Sequence, residues 1–410
     1  MPPATKLGPS STTAAHATRG LGCESCAFLG PCGGVFDRYD CMGDCCGDTQ
    51  HCTFACPRSE RFEEVFQDCG GLDSSGPWSI SQQRELPVPG YIPMVQHGYR
   101  RDHPLSWPII ALPTFLAARI LERIGNVANP AERLRQEFRV ASHARVVLVS
   151  VAPDRKLERF WQSRRRRNLI DLLSRAGADH ITAPNFSFFR DLPRTDHLAN
   201  RRRTLICAEE FSRAGLSVIP HLNAATEHDW AFWRDFLRGR PEISLVCKEF
   251  QTGPALLRIA AWHIAQLCEL EQALGRGLHL VAIGGLRHLR SLTRLSGLTV
   301  IDSGPFMKTC FRRIRSARGW RLRRTRRDEC LSQILLTNVF DYSERFDSLK
   351  LRCCQLELCL TSPEAGREHR RTSEESEIEA PNGLFGQVQR NTCRLPVERT
   401  PRSTSRAAHQ

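Results

Sequence analysis

The fold of this chain is decided by residues 178–224, ADHITAPNFSFFRDLPRTDHLANRRRTLICAEEFSRAGLSVIPHLNA. Two short runs rich in apolar and β-branched residues, HITAPNF (180–186) and LSVIPHL (216–222), are separated by a stretch of helical length. The joint Ser-Arg-Ala-Gly precedes the second run at 212–215 and the first run at 174–177. A glycine just after a helix can adopt the left-handed conformation that turns the chain into the next strand. The segment therefore predicts a repeating βα unit.

Six more runs of the same kind lie on either side of this segment. They are YIPMVQH (91–97), WPIIALP (107–113), RVVLVSVA (145–152), ISLVCKEF (243–250), LHLVAIG (278–284) and LTVIDSG (298–304). Strands that alternate with helices predict the α/β class with a parallel sheet, and eight of them suit a (β/α) barrel. Only a short segment containing RRDHPLS (100–106) joins the first two runs, too short for a crossover helix. A hairpin at that point, and hence an irregular barrel, stays open.

Composition divides the chain into four parts. We predict a disordered leader over 1–20, a cysteine-rich metal-binding module over 21–75, the βα-repeat barrel domain over 76–345 and a mostly disordered basic and polar tail over 346–410. The leader lacks the apolar segment of a secretory signal, and no apolar run is long enough to cross a bilayer. The sequence therefore predicts a cytoplasmic protein without membrane association.

The predicted module holds nine of the 18 cysteines, between Cys23 and Cys69. Their spacing begins C-x2-C-x5-C-x8-C-x3-C-C-x5-C-x3-C-P, and thiols at this density in a reducing compartment indicate metal ligation rather than disulfides. The predicted ligands are Cys23, Cys26, Cys32, Cys41, Cys45, Cys46, Cys52 and Cys56. The nearly all-cysteine set with a proline after the last member suits an iron–sulfur cluster, and the C-x2-C pair suits zinc. The sequence leaves both metals open.

The formal net charge is +14, and arginine supplies most of it. The arginines concentrate at 164–167, at 201–203 and from Arg312 to Arg327. Patches of this kind would attract nucleic acid or a phosphorylated small molecule. The plainer interpretation is a set of solvated helix faces, because charge alone sets no specificity.

A family resemblance rests on residues 183–220. Ala-Pro-Asn-Phe-Ser at 183–187, Arg-Asp-Leu-Pro at 190–193 and Ile-Pro at 219–220 resemble the Ser-Pro-Asp-Phe-Ser, Arg-Asp-Met-Pro and Ile-Pro motifs of a domain-of-unknown-function family of bacterial, plasmid and phage proteins. The resemblance weakens towards Gly285. It implies no reaction, and Asn185 stands where the family more usually has aspartate.

Barrel enzymes place their chemistry at the carboxyl ends of the strands. The predicted catalytic residues there are Glu249 and Asp302 as acid, base or nucleophile, His221 as an auxiliary acid or base, and Asn185 as a ligand-orienting group. Each alone would more often cap a helix or tie down a loop.

A phosphate site is predicted at Gly284, Gly285, Lys308 and Arg312, because backbone amides and cations bind phosphate. The alternatives are a tight turn at the two glycines and a basic surface helix that continues to Arg327.

These residues lead to three hypotheses. The first is a metal-dependent enzyme that modifies a base or nucleotide; its architecture resembles the tRNA-guanine transglycosylases at the level of fold only. The second is a non-enzymatic nucleic-acid-binding protein of a mobile element, and the third is a redox protein with an iron–sulfur centre. An enzyme requires Glu249, Asp302 and His221 to converge, whereas a binding protein requires the basic stretches to form one face.

Overall fold

The computed structural model describes residues 26–34, 50, 54–57, 59–80, 89–188, 192–252, 257–316 and 319–361. Within these ranges the chain has an α/β fold with two four-stranded parallel sheets and a two-stranded antiparallel ribbon. No helix in the described ranges combines the length and apolar character needed to cross a bilayer.

The eight parallel strands of the described chain each overlap one of the predicted runs. They are β1 (Tyr91–Pro93), β2 (Ile109–Pro113), β3 (Arg145–Val149), β4 (His180–Thr182), β5 (Val218–Ile219), β6 (Leu245–Glu249), β7 (His279–Ile283) and β8 (Gly297–Asp302). One sheet has the order β1-β8-β7-β6, and the other has β2-β3-β4-β5. The alternation of strand and helix in the sequence is therefore confirmed as an α/β fold with parallel sheets.

Isolated parallel bridges join the two sheets at both edges. Met94 pairs with Ala111 between β1 and β2, and His221 pairs with Cys247 between β5 and β6. Backbone hydrogen bonds accompany them: the Val95 N–H donates to the Ala111 carbonyl at 2.9 Å, and the Cys247 N–H donates to the Pro220 carbonyl at 2.8 Å. The pairing of β1 with β2 is parallel, so the alternative of a hairpin at this point is wrong. The chain between them returns through Leu105, which itself pairs in parallel with Val140.

The two faces of the strands bury different sets of side chains. Alternate residues along the strands form an inner apolar cluster: Ile92, Met94, Ile109, Ala111, Val147, Val149, Ile219, Leu245, Cys247, Val281, Ile283 and Ile301. The residues between them, such as Ile110, Leu148 and Val246, belong to a larger cluster shared with the helices. Successive side chains of a strand point to opposite faces, so both faces are covered.

The helices cover the outer face. In chain order they are α1 (Leu29–Cys32), α2 (Phe62–Asp68), α3 (Thr114–Ile124), α4 (Pro130–Phe138), α5 (Asp154–Ser163), α6 (Leu169–Ser174), α7 (Arg194–Arg213), α8 (Glu227–Arg238), α9 (Leu257–Leu274), α10 (Leu289–Leu292), α11 (Gly304–Cys310) and α12 (Leu331–Thr361). Gly177, Gly215 and Gly275 follow helices with φ of +63°, +80° and +63°. The predicted left-handed joints are therefore present.

The C-terminal part differs from the sequence interpretation. Residues after α11 form an antiparallel ribbon of β9 (Arg313–Ser316) and β10 (Gly319–Arg324). The alternative of a basic surface helix continuing to Arg327 is therefore wrong. Helix α12 crosses the predicted boundary at residue 346, and Phe346 is fully buried with its ring centroid 6.5 Å from that of Tyr91. Residues 362–410 and the predicted leader lie outside the described residues.

Candidate functional site

Two of the predicted catalytic residues lie on the same face of neighbouring strands. His221 is paired with Cys247, a member of the inner cluster, and Glu249 follows Cys247 by two residues. Residues paired across parallel strands share a face, as do residues two apart on one strand. His221 and Glu249 therefore both lie on the inner face, near the carboxyl ends of β5 and β6.

His221 is buried and neutral. Only 1% of the residue is exposed, and neither ring nitrogen makes a hydrogen bond of normal geometry with a described residue. Burial and the charge of Lys248 lower the pKa of His221 to about 3. A side-chain interaction with Asn223 has the smaller effect of raising that pKa. The imidazole therefore retains one donor and one acceptor at neutral pH.

Glu249 is occupied by its own loop. Its Oε1 accepts the N–H groups of Gln251 and Thr252, the latter at 2.6 Å, and its Oε2 accepts the Thr252 hydroxyl at 3.0 Å. Burial raises the pKa of Glu249, while these hydrogen bonds favour its charged form. Glu249 thus fixes the turn after β6.

Lys248 lies on β6 between Cys247 and Glu249, and its side chain points to the opposite face of the strand. Its ammonium donates to the Leu222 carbonyl at 3.0 Å and lies 5.4 Å from the centroid of the Trp230 ring on α8. Burial lowers the pKa of Lys248 to about 8. The lysine therefore packs in the outer layer rather than beside the inner cluster.

Asp302 does not join His221 and Glu249. Its neighbour Ile301 belongs to the inner cluster, so Asp302 faces the outer layer. Its Oδ1 accepts the Gly304 N–H at 2.9 Å, and burial raises its pKa. The charge of Asp302 in turn contributes to raising the pKa values of Tyr91 and Tyr342, after the larger effect of their burial. The predicted convergence of three catalytic residues is therefore wrong for Asp302.

Asn185 lies on the loop that follows β4. Its backbone N–H donates to the Ser150 carbonyl at 3.3 Å. Two residues on, the Ser187 hydroxyl donates to Oδ1 of Asp154 at 2.5 Å. Asn185 thus belongs to the loop between β4 and α7, and a ligand-orienting role for it stays a prediction.

The predicted phosphate residues have separate structural partners. Gly284 and Gly285 form a left-handed turn with φ of +76° and +88°, and the Gly284 N–H donates to the Ile301 carbonyl at 2.8 Å. The ammonium of Lys308 lies 4.5 Å from the centroid of the Tyr342 ring. Arg312 donates to the carbonyls of Arg326 and Glu329, at 2.7 and 3.0 Å. These contacts support the tight-turn interpretation of the glycines, and phosphate binding stays a prediction.

The predicted metal ligands fall mostly outside the described residues. Cys23, Cys41, Cys45, Cys46 and Cys52 lie there, whereas Cys26 is exposed and Cys32 and Cys56 are buried. The described residues contain no group of three or more His, Cys, Asp or Glu side chains placed to hold a metal. Metal binding by the cysteine-rich segment stays a prediction.

Helix α7 carries a charged network that the sequence analysis missed. Arg194 binds Asp229 of α8 through both nitrogens, at 2.7 and 3.0 Å, and Arg201 binds the same carboxylate at 3.1 Å. All three side chains are at most 2% exposed. Burial, the largest single effect, opposes the charge on Asp229, but Arg194, Arg201 and the Ala225 N–H together outweigh it and lower the pKa of Asp229 to about 2. The i, i+3, i+7 spacing of Arg194, His197 and Arg201 places them on one helical face, the pattern that could have revealed the network.

The N-terminal segments dock onto this helix. The Thr195 hydroxyl donates to the Ala55 carbonyl at 2.6 Å, and the Ala55 N–H donates to Oδ1 of Asp196 at 2.8 Å. Arg202 donates to the Cys69 carbonyl at 2.7 Å. Burial raises the pKa of Asp196 to about 7. The cysteine-rich part therefore contacts the α/β domain through polar groups of α7.

Several arginines of the first two runs pair with acidic residues of the fold. Arg164 binds Glu210 at 2.7 Å beneath the surface, and Arg167 binds Glu122. Arg201 and Arg203 are buried with Asp229 and Glu158. The interpretation as surface patches for polyanions is wrong for the buried Arg164, Arg201 and Arg203, which pair with acidic residues distant in sequence. Residues 165–167 are exposed.

The third run forms an exposed basic surface. Arg313 of β9 lies directly opposite Arg324 of β10, and both residues are exposed. Neither forms an ion pair with any residue that the structure describes. Arg326 and Arg327, just after β10, are exposed as well. Arg315 differs, since it binds Asp341 of α12 at 2.8 Å and anchors the ribbon.

Comparison with known proteins adds little to this geometry. No family model matches the chain, and no curated protein matches it. Among solved structures, it is similar to N-acetylneuraminate lyase from Fusobacterium nucleatum complexed with pyruvate, at a TM-score of 0.33 and 9% identity, over 67% of this chain and 79% of that one. A second structure of N-acetylneuraminate lyase from Fusobacterium nucleatum gives 0.33 and 10%, over 71% and 94%. At these values neither lyase bears on the activity of this chain.

Proposed function

We propose that this protein binds nucleic acid through its basic ribbon, β9 and β10 with the adjoining Arg326 and Arg327. The observation that carries the proposal is the cross-strand pair of Arg313 and Arg324. Like charges directly opposite each other destabilise a ribbon, and here no described carboxylate neutralises them. A polyanion would relieve this repulsion and gain charge-assisted hydrogen bonds from both guanidinium groups.

The ribbon form itself supports this partner. A two-stranded antiparallel ribbon is narrow enough to lie along a nucleic-acid groove or backbone. The anchor between Arg315 and Asp341, at 2.8 Å, holds the ribbon against α12 while leaving Arg313 and Arg324 exposed. The net charge of +14 would add long-range attraction.

We propose a closed eight-stranded (β/α) barrel as the scaffold. The parallel bridges between β1 and β2 and between β5 and β6 support closure, because they connect the sheets at both edges. The inner apolar cluster supports it as well, since alternate residues of a barrel fill its interior in layers. In this arrangement α11, the ribbon and α12 follow the last strand.

The test is the salt dependence of binding. Fluorescence anisotropy with a labelled mixed-sequence oligonucleotide would give the slope of log K against log salt for the wild type, Arg313→Ala and Arg324→Ala. Each substitution should lower affinity across sequences and reduce the slope by about one, the value expected for one lost phosphate contact. Arg238→Ala is the control, because Arg238 is 56% exposed and already paired with Asp235 on α8. Equal effects of all three substitutions, or no binding at low salt, would refute the proposal.

A second candidate is modification of a base or nucleotide at the strand ends. The observation that favours it is His221, a buried neutral imidazole whose ring nitrogens make no hydrogen bond of normal geometry with a described residue. An imidazole in that state can bind or exchange a proton with a ligand. Calorimetric titration with nucleoside monophosphates would test it: binding that His221→Phe abolishes supports the candidate, and binding that this variant leaves unchanged contradicts it.

A further inference from the structure

Three aromatic residues are exposed just before the basic ribbon, on α12, which the ribbon contacts, and in the loop between β1 and β2. Tyr99 is 69% exposed, Phe311 is 47% exposed and Phe340 is 50% exposed. Phe311 lies two residues before the start of β9, and Phe340 is next to Asp341, the anchor of Arg315. Isolated apolar residues on a surface are ordinary, but rings gathered beside unpaired arginines are the composition of a nucleic-acid surface.

Contacts between neighbouring elements connect these rings into one region. The Phe340 ring meets Trp107 edge-on at 5.1 Å, which joins α12 to the loop before β2. In the same loop, the His103 N–H donates to the Ser332 hydroxyl at 2.9 Å, at the start of α12. Tyr99 lies four residues before His103 and carries the guanidinium of Arg100 at 5.0 Å from its ring centroid. The loop of 99–107 and the ribbon therefore both contact the first half of α12. The Tyr99 ring lies 6.3 Å from His97, whose ring meets Phe306 of α11 at 4.8 Å, and α11 leads into the ribbon.

We infer that the preferred partner of this region is single-stranded nucleic acid, with bases stacked on Tyr99, Phe311 and Phe340. This inference rests on the proposed binding through the ribbon. In a duplex the faces of the bases are already stacked on each other, so exposed rings gain little from it. In a single strand every base offers a free face, while the ribbon arginines bind the phosphates.

The chemistry of this surface does not distinguish RNA from DNA, because base faces and phosphates are common to both. The experiment therefore uses single-stranded RNA, single-stranded DNA and the matching DNA duplex at one salt concentration. We expect both single strands to bind at least several-fold more tightly than the duplex. Tighter binding of single-stranded RNA or of single-stranded DNA would identify which nucleic acid the protein prefers, and either preference supports the inference.

The aromatic contribution is separable from the ionic one. Tyr99→Ala and Phe340→Ala should each weaken single-strand binding by roughly tenfold, the effect of losing one stacked base, and leave the salt slope unchanged. Phe340→Tyr keeps an aromatic ring and should retain affinity, which would show that the ring is what binding requires. Leu257→Ala is the control, because Leu257 is 73% exposed at the start of α9 and its truncation removes exposed apolar surface outside the ribbon region.

The outcomes also separate the inference from the proposal on which it rests. Duplex binding equal to or tighter than single-strand binding, with arginine variants still effective, would overturn the stacking inference and leave the ribbon proposal intact. Loss of self-association in the aromatic variants, with unchanged oligonucleotide affinity, would show that the rings form a protein interface instead. Absence of any oligonucleotide binding would remove both.

Discussion

Asp229 lies in the first turn of α8 with two arginine partners from α7, and all three side chains are almost fully removed from solvent. A buried ion pair contributes little relative to an apolar pair of the same size. Removing one partner is different, because it leaves an uncompensated charge without access to water. At this site, one carboxylate compensates two guanidinium groups and also accepts the Ala225 N–H at 2.8 Å.

We expect Asp229→Asn to lower the free energy of unfolding by about 3–5 kcal/mol, the range for one broken partner of a buried pair. Urea denaturation followed by circular dichroism measures it. Asp235→Asn on the same helix is the control: its pair with Arg238 is 63% and 56% exposed, so its loss should cost less than about 1 kcal/mol. Similar losses in the two variants would contradict the assigned role of the network.

His221 gives a prediction on pH. Its pKa is about 3 in the folded chain and near 6.5 in the unfolded chain, so between these values only the unfolded chain binds the proton. The contribution of His221 to the free energy of unfolding therefore increases as pH rises through this window, by up to about 1.4 kcal/mol per pH unit, and is constant above it. His221→Phe should remove that slope between pH 4 and 6.5 in urea titrations. The exposed His143, replaced by Gln, is the control. An unchanged slope in His221→Phe would show that His221 titrates alike in the folded and unfolded chains.

At the scale of elements, the joints between helices and strands offer a matched pair of glycines. Gly177 and Gly215 both have positive φ and both follow the same Ser-Arg-Ala sequence. A Cβ at Gly177 would lie 2.7 Å from the Cβ of Ala131 on α4, whereas a Cβ at Gly215 would meet nothing within 4 Å.

Gly215→Ala should cost only the left-handed strain, about 1–2 kcal/mol, and Gly177→Ala should cost distinctly more because α4 must also move. Thermal and urea unfolding of the two variants measure the difference. Equal losses in the two variants would mean that α4 moves away from the new Cβ without a measurable cost in free energy.

The strands were predictable because their signal is local. Each is a short β-branched run bounded by turn residues, and this pattern located β1 to β8 without knowledge of their partners. The face of β8 on which Asp302 lies was not predictable from the sequence. Val300 and Ile301 are both fully buried on opposite faces, so no alternation of polar and apolar residues shows which face each residue of the strand occupies. The burial of Arg201 was hidden for another reason, since its partner Asp229 lies 28 residues away.

At the scale of the whole molecule, the N-terminal segments and the basic ribbon occupy different sectors of the strand order. The N-terminal segments contact α7, which follows β4. The ribbon contacts α12 and lies after β8, which pairs with β1. Among the residues that the structure describes, the contacts of the N-terminal segments with α7 and those of the ribbon with α12 involve different elements. The predicted metal centre and the proposed nucleic-acid surface should be separable functions of one chain.

This separation gives a prediction for metal removal. If the cysteines of 21–75 bind zinc or an iron–sulfur cluster, metal analysis of protein purified without oxygen should find it, and a broad absorption band near 400 nm would identify iron–sulfur. A chelator should then loosen the segment that includes Ala55, and hydrogen exchange in α7 should increase, because Thr195 and Asp196 lose the partners that fix Ala55. Oligonucleotide binding by the ribbon should stay within about twofold, since Arg313 and Arg324 have no contact with that segment among the described residues. Two outcomes would contradict this prediction. Metal release without any change in the hydrogen exchange of α7 would show that docking onto α7 is independent of the metal. A simultaneous loss of oligonucleotide binding would show that the metal segment and the ribbon are coupled.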